Sequence, residues 1–198
     1  MKNFMKNILV LAIVFATLSS NATEKTSLNN EENGKTTLIL KDVVQGEKLI
    51  IKDGFGVVLY NETLLKSGEY TKTFDLTTLP DGNYIFELDK KTKIKVYPFS
   101  VTSNTVKFDK ESLKIIFKPK VEYKDNTIYV RALNSDMTPS KVELQYNVID
   151  TTFETIYSEN TSNTSLIAKE FKLLKNEKEE YKVIVTLNGR TFTTLINI

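Results

Sequence analysis

An all-β fold, arranged as two tandem immunoglobulin-like or fibronectin-like antiparallel sandwiches, follows from three features of the sequence. From Thr36 onward, short runs rich in Ile, Val, Leu, Tyr, Phe and Thr are broken by Gly, Asn, Asp and Pro. No long segment keeps a helical apolar stripe behind a capping box. The chain also repeats itself: shifted by 97 residues, Leu59–Leu88 lies on Ile156–Val185 without a gap. Tyr60 then falls on Tyr157, Glu62 on Glu159, Phe74 on Phe171, Leu76 on Leu173 and Tyr84 on Tyr181, and upstream Leu49–Asp53 falls on Tyr146–Asp150. Each copy spans roughly 80 residues with about seven strands, the size of an immunoglobulin-like sandwich.

The elements follow in chain order. Residues 1–22 read as a signal peptide: Lys2 and Lys6 supply a positive start, Ile8–Leu18 an apolar stretch, and Ser20–Ala22 the small residues of a cleavage site. That stretch is well short of the ~20 residues a membrane-spanning helix needs. A mature chain from Thr23 is therefore expected to be exported, periplasmic or extracellular, with no membrane span. Residues 23–35 are polar, Asn- and Glu-rich, and are expected to form a disordered tether. The first sandwich is expected over 36–117, with strands at Thr36–Val43, Glu47–Asp53, Gly56–Thr63, Tyr70–Leu76, Asn83–Asp89, Thr92–Val101 and Ser112–Lys118. The second is expected over 118–198, with strands at Asn126–Leu133, Lys141–Asp150, Phe153–Glu159, Ser165–Leu173, Glu180–Leu187 and Arg190–Ile198. Most of these alternate apolar and polar residues, as a strand with one buried face should.

Composition narrows the chemistry. The chain holds no Cys, His or Trp. Without Cys an exported protein has no disulfides, so burial and backbone pairing must hold the fold. Without His and Cys, the commonest general base, a structural zinc site and a Cys/His nucleophile pair are all lost. Removing Lys2 and Lys6 leaves 25 basic and 25 acidic residues, with mixed signs throughout. A nucleic-acid surface shows instead as a basic excess or stripe, so none is expected.

The clearest local pattern is "LPDGNY", Leu79–Tyr84. Pro80 presets φ for a turn, and Asp81-Gly82 supplies the residues a turn favours. Tyr84 then opens a strand with Phe86 and Leu88 on its own face, while Ile85 and Glu87 point the other way. A Tyr just past this connection occupies the place of a tyrosine corner, its ring in the core and its hydroxyl bonded back to the preceding backbone. The second copy keeps the Tyr, as Tyr181, but replaces "LPDG" with "NEKE", Asn176–Glu179. The pair Tyr84 and Tyr181 is thus read as architectural and the acidic turn as local chemistry.

Other groups are weaker signals. Asp53, Asp81, Asp89 and Asp150 sit at strand ends or turns, where Asp is favoured for local reasons, and none forms a singled-out pair for glycoside cleavage. Lys52–Gly56, the Pro80–Asn83 turn and Lys124–Asn126 offer isolated acidic turns without the regular Asp spacing of a calcium loop. Catalytic residues, cofactors and metal ligands are therefore assigned to none. Tyr97 and Phe99 flank Pro98, which is barred from a central ladder position and so marks an edge or a bulge. With Tyr123 beside Lys124, they make a candidate contact patch, read first as packing between the two domains. Asn160 and Asn163 stand in Asn-x-Ser/Thr triplets, acceptors in a eukaryotic secreted protein and a polar hairpin loop in a bacterial one.

The succession "GVVLYNET", "TFDLTTLPDGNYIFEL" and "KIKVYPFSV" resembles secreted β-sandwich proteins of the Bacteroidetes group. It is similar both to their uncharacterised tandem Ig-like proteins and to the C-terminal sorting domains of type IX secretion cargo. The resemblance covers both copies, best in Leu49–Leu88, and implies export and a sandwich. The final strand, Asn188–Ile198, departs from the sorting pattern in ending apolar rather than in a basic tail. Asp150-Thr151-Thr152 resembles the O-glycosylation acceptor of the same group.

The expected role is a non-catalytic module of the cell envelope or extracellular space, working through contacts with an unknown protein or surface partner. The alternatives are an accessory or cargo protein of a bacterial secretion pathway, with a sorting-like C-terminal domain, and a carboxylate-based hydrolase.

Overall fold

The computed structural model describes residues 26–30, 35–109, 112–149, 151–173 and 180–198, of 26–30 the backbone alone. The proposed signal peptide, the "NEKE" turn and Asp150 lie outside these residues. The fold is all-β, its only helical turn among the described residues being a 3₁₀ segment at Leu76–Thr78.

The first half contains β1 (Thr26–Asn30), β2 (Thr36–Val43), β3 (Lys48–Asp53), β4 (Val58–Thr63), β5 (Gly68–Phe74), β6 (Gly82–Asp89), β7 (Lys93–Thr102), β8 (Thr105–Phe108) and β9 (Lys114–Phe117). They form a β1-β2-β5 sheet and a β4-β3-β6-β7-β8 sheet, with β9 also paired to β7. The second half contains β10 (Lys120–Lys124), β11 (Thr127–Leu133), β12 (Ser140–Ile149), β13 (Thr152–Thr161), β14 (Leu166–Lys172), β15 (Glu180–Leu187) and β16 (Arg190–Asn197). These form a β10-β11-β14 sheet and a β13-β12-β15-β16 sheet. All pairings are antiparallel.

Alternation places the cores. Leu38 and Leu40 of β2, Leu49 and Ile51 of β3, and Tyr84, Phe86 and Leu88 of β6 meet between the two sheets of the first half. Ile128 and Val130 of β11, Val142 and Leu144 of β12, and Val183 and Val185 of β15 do the same in the second. Asn188 and Gly189, with φ of 51° and 69°, close the β15–β16 hairpin in the left-handed geometry that matches strand twist. Ser103-Asn104 and Asp125-Asn126 close β7–β8 and β10–β11 in the same way.

Within the expected tether, Thr26–Asn30 is strand rather than disordered, since it pairs with β2 along its whole length, while 23–25 and 31–34 lie outside the described residues. "TSLNN" holds one apolar residue, so alternation could not reveal a strand that joins a sheet edge through its backbone. β8 and β10, two further short edge strands, lie outside the expected strands as well; β10 does alternate, with Val121 packed against the second core.

The repeat also has a finer register. Strands β4 to β7 match β13 to β16 at the offset of 97, but β3 matches β12 at 93. Leu49 and Val142 each face a Glu, at 62 and 159, and Ile51 and Leu144 each face a Tyr, at 60 and 157. The pairing of Leu49–Asp53 with Tyr146–Asp150 is therefore corrected. The β12–β13 hairpin is four residues longer than β3–β4, and that insertion absorbs the shift.

Candidate functional site

Tyr84 is buried, and its Oη donates to the Pro80 carbonyl at 2.7 Å. Its ring stacks on Phe99 at 5.3 Å. Tyr181 is equally buried and packs beside Tyr146 at 5.4 Å. Gly82 does not use left-handed φ. Instead Asp81 Oδ1 accepts the Ser103 N–H at 2.9 Å, tying the Pro80–Asn83 turn to the β7–β8 turn. Asp53 Oδ1 accepts the N–H groups of Phe55 and Val57 at 2.9 and 2.8 Å. Both acidic turns thus direct a carboxylate oxygen to the backbone. Among the described residues no group of three or more Asp or Glu converges as a metal cage would require.

The contact patch is corrected. Tyr97 and Phe99 lie two apart on β7 and both point into the first core, Tyr97 at 8% exposure and Phe99 at 2%. Phe99 touches Tyr84, Phe86 and Phe108. Tyr123 is exposed on β10, its hydroxyl 3.3 Å from Asn126 Oδ1. Pro98 does not break the alternation, because its ring nitrogen meets no ladder demand. The N and C=O of one residue project to the same side of a strand. The Pro98 carbonyl accepts the Asp109 N–H at 3.1 Å, so the missing N–H faces the gap where β9, paired to 93–96, gives way to β8, paired from 99.

Packing between the halves uses the opposite face of β7. Ile94 and Val96 project outward with Ile116 of β9 and Ile85 of β6, and Phe192 of β16 covers them. Beside this contact Glu87 is 1% exposed. Lys52 Nζ reaches its Oε2 at 2.9 Å, and the Arg190 guanidinium grips both of its oxygens, with Nη1 3.3 Å from Oε2. Burial pushes the Glu87 pKa up, but the Arg190 and Lys52 hydrogen bonds outweigh it and hold the carboxyl below its ordinary value. The acid predicted to point away from the first core is therefore the anchor for the second half.

A further cluster occurs in both halves. Glu62 on β4 accepts from Lys72 Nζ at 2.8 Å, from Tyr70 Oη at 2.7 Å and from Tyr60 Oη, and Lys72 also bonds Tyr60. Glu159 on β13 accepts Lys169 Nζ at 2.7 Å on both oxygens, and Tyr157 Oη as well. Phe74 meets Tyr60 edge-on at 5.3 Å, and Phe171 meets Tyr157 at 4.9 Å. Strands β4 and β5, and likewise β13 and β14, are edge strands of different sheets. Each cluster therefore closes the open side between its two sheets. Hydrogen bonds from Lys72, Tyr60 and Tyr70 lower the Glu62 pKa to about 2, and the Glu62 bond raises that of Lys72. Lys169 lowers Glu159, and Glu159 raises both Lys169 and Tyr157. General acids and bases work best with pKa values near the operating pH; these groups are driven away from it. Lys72 and Lys169 also stand 97 residues apart, a coincidence visible in the sequence that the aromatic matches overshadowed.

A cleft of about 740 Å³ runs along β6 and β7 and is lined in part by Asn83, Ile85, Pro98, Ser100, Lys107 and Asp109. Its one carboxylate among the described residues, Asp109, accepts the Ser112 N–H at 3.2 Å, so the described lining holds no acid pair of the kind a glycosidase uses.

Exposed apolar side chains occur on the equivalent hairpin of each half, and also elsewhere, as at Leu65 and along β9 at Ile115 and Phe117. Phe55, at 96% exposure, precedes Val57, Val58 and Leu59 along β3–β4, while Val148, Ile149 and Ile156 occupy β12–β13. Leu59 and Ile156 are repeat equivalents.

No family model matches the chain, and no curated protein matches it. Among solved structures, a biofilm-associated protein BSP domain is similar at 13% identity over 88% of this chain, with a TM-score of 0.28. A structure of the receptor tyrosine kinase Torso is similar at 7% identity, again over 88%, with a TM-score of 0.23. The chain spans 29% of the first of these proteins and 72% of the second.

Proposed function

We propose that this protein is an exported, non-catalytic module of the cell envelope or extracellular space, two immunoglobulin-like sandwiches in tandem, acting through protein–protein contact at the β3–β4 and β12–β13 hairpins. The observation that carries this reading is the recurrence of exposed aliphatic residues at Leu59 and Ile156 on equivalent edge strands. Scattered surface apolar residues need no explanation, but a cluster recurring at one place in a repeat points to contact. The buried Glu87 and the half-exposed Glu62 and Glu159 fit the same reading, since each is engaged by a cation.

The test is capture of surface proteins from the native host by the mature chain, beside a Leu59→Asp/Ile156→Asp variant. A protein taken by the wild type and lost by the variant supports the reading; equal capture overturns it. Export is tested separately by the mass of the protein in the native host, expected to begin at Thr23. A cytoplasmic protein retaining residues 1–22 would overturn that part.

A further inference from the structure

Taking the β3–β4 and β12–β13 hairpins as contact surfaces, as proposed above, we infer that their partner is a second copy of the chain: Phe55 of one copy seats in an aromatic cleft in the second half of the next. Phe55 is 96% exposed, yet its turn is closely held. Asp53 Oδ1 accepts the Phe55 and Val57 N–H groups, and the Asp53 carbonyl accepts the Gly56 N–H at 3.0 Å. Gly56 takes a φ of 88°, which side-chain-bearing residues rarely adopt. A ring presented on an ordered turn loses little freedom when it binds, as an interface anchor requires.

The cleft lies between β12–β13 and β14, holds about 560 Å³, and is lined in part by Leu144, Tyr146, Ile156, Tyr157, Phe171 and Tyr181. That volume falls within the ~300–1,000 Å³ of ligand pockets. Tyr146 packs beside Tyr181, and Tyr157 beside Phe171, so the walls offer ring faces and edges against which another ring packs well. The repeat shows where the room comes from. In the first half Phe74 packs edge-on against both Tyr60 and Phe86, and Phe86 meets Phe99. In the second half Val183, paired with Leu144, and Ile196, paired with Tyr181, stand at the places of Phe86 and Phe99. Smaller side chains at these places leave space that the walls do not refill. Asp53, which holds the Phe55 turn, corresponds to Tyr146 of the cleft wall. One place in the repeat thus builds a knob in the first half and a socket in the second.

Knob and socket each lie at the end of their half away from the joint between the halves. β6 runs from Tyr84, paired with Asp53 beside the Phe55 turn, to Asp89 near the β6–β7 turn, where the Thr92 carbonyl accepts the Lys118 N–H. β15 runs from Tyr181 in the cleft to Leu187, beyond which Arg190 holds Glu87 and Phe192 covers Ile94 and Val96. Phe55 stands free of its own chain's cleft, so the socket that takes it belongs to another copy. Such a contact sets the first half of one copy against the second half of the next, and it can repeat from copy to copy.

Sedimentation equilibrium on the purified chain from Thr23 is the test, since no other protein is then present. The average mass of the wild type should rise with concentration to well beyond one chain. Phe55→Ser, which lacks the knob, and Val183→Phe, which sets the first half's residue beside Leu144, should each stay monomeric. Their equimolar mixture should form a 1:1 dimer and stop there, because one knob and one socket remain between them. Ile156→Lys, at a position 56% exposed, is a second socket variant that needs no repacking of the core and should behave as Val183→Phe does. A monomeric wild type, self-association indifferent to Phe55→Ser, or a mixture that fails to pair each overturns the inference. A monomeric wild type leaves the hairpin reading itself standing, because the capture test uses proteins of the host. If the wild type is monomeric and a captured host protein is lost with Phe55→Ser, the knob belongs to that protein and not to a second copy.

Discussion

The guanidinium of Arg190 closes on the carboxylate of Glu87 across 103 residues of sequence, and with Lys52 it gives a nearly inaccessible acid two cationic partners. Leaving a buried charge with fewer partners is costly, commonly several kcal/mol when a pair is fully broken. Arg190→Met keeps Lys52 in place and should lower stability by about 1–3 kcal/mol in urea unfolding. Glu87 has a lowered pKa when folded, so its contribution is present above the ordinary carboxylate range and fades as pH falls through the folded value. The variant should accordingly lose less stability than wild type on acidification. An equal slope would place the acid sensitivity elsewhere.

Tyr84→Phe removes one hydroxyl and leaves the Pro80 carbonyl without that donor. A loss of about 1–2 kcal/mol is expected from chemical denaturation. Unchanged stability within error would mean that the hydroxyl bond contributes nothing.

Glu62 should titrate near its value of about 2 in a carboxyl-carbon NMR experiment. Lys72→Met should move it up toward the ordinary range, with Tyr60 and Tyr70 still donating. The sign follows from the lowered pKa: the Glu62 contribution is complete above the unfolded carboxylate value and is lost on acidification toward the folded one. High salt should weaken it, because both side chains keep access to solvent.

Asp81→Ala should release the β7–β8 turn from the preceding connection, at a cost of about 0.5–1.5 kcal/mol. Added calcium should leave the melting temperature of wild type and variant alike unchanged. A calcium-dependent rise lost in the variant would reassign the turn as a metal site.

Much of this was legible in the residues, and the failures have definite physical causes. Alternation identified the fold class and most strands, because a half-buried strand must write its two faces into its sequence. It missed β1, whose "TSLNN" holds one apolar residue, and the short edge strands β8 and β10. Proline misled at Pro98: the rule that it avoids central positions concerns its missing N–H, and the side on which that N–H falls depends on where β8 and β9 run. The repeat brought Tyr60, Glu62 and Phe74 together with their counterparts before any coordinates. The four extra residues in β12–β13 displaced β3 from the common offset, which aligned aromatics alone could not reveal. Arg190 and Phe192 carried no signal, since their partners lie about a hundred residues away.

Strand β9 has a mechanical consequence. It lies along β7 from Phe117 opposite Lys93 to Lys114 opposite Val96, and only Lys118 and Pro119 separate it from β10. Tension drawn through the second half therefore enters at Lys118, whose N–H bonds the Thr92 carbonyl at 2.9 Å. Once the Arg190–Glu87 and Phe192 contacts between the halves part, the load falls on that bond and then on the β7–β9 ladder one rung at a time, while the strands of the first core stay paired. Under pull, the chain would yield by peeling a four-residue strip and baring Ile94 and Val96, long before either core came apart.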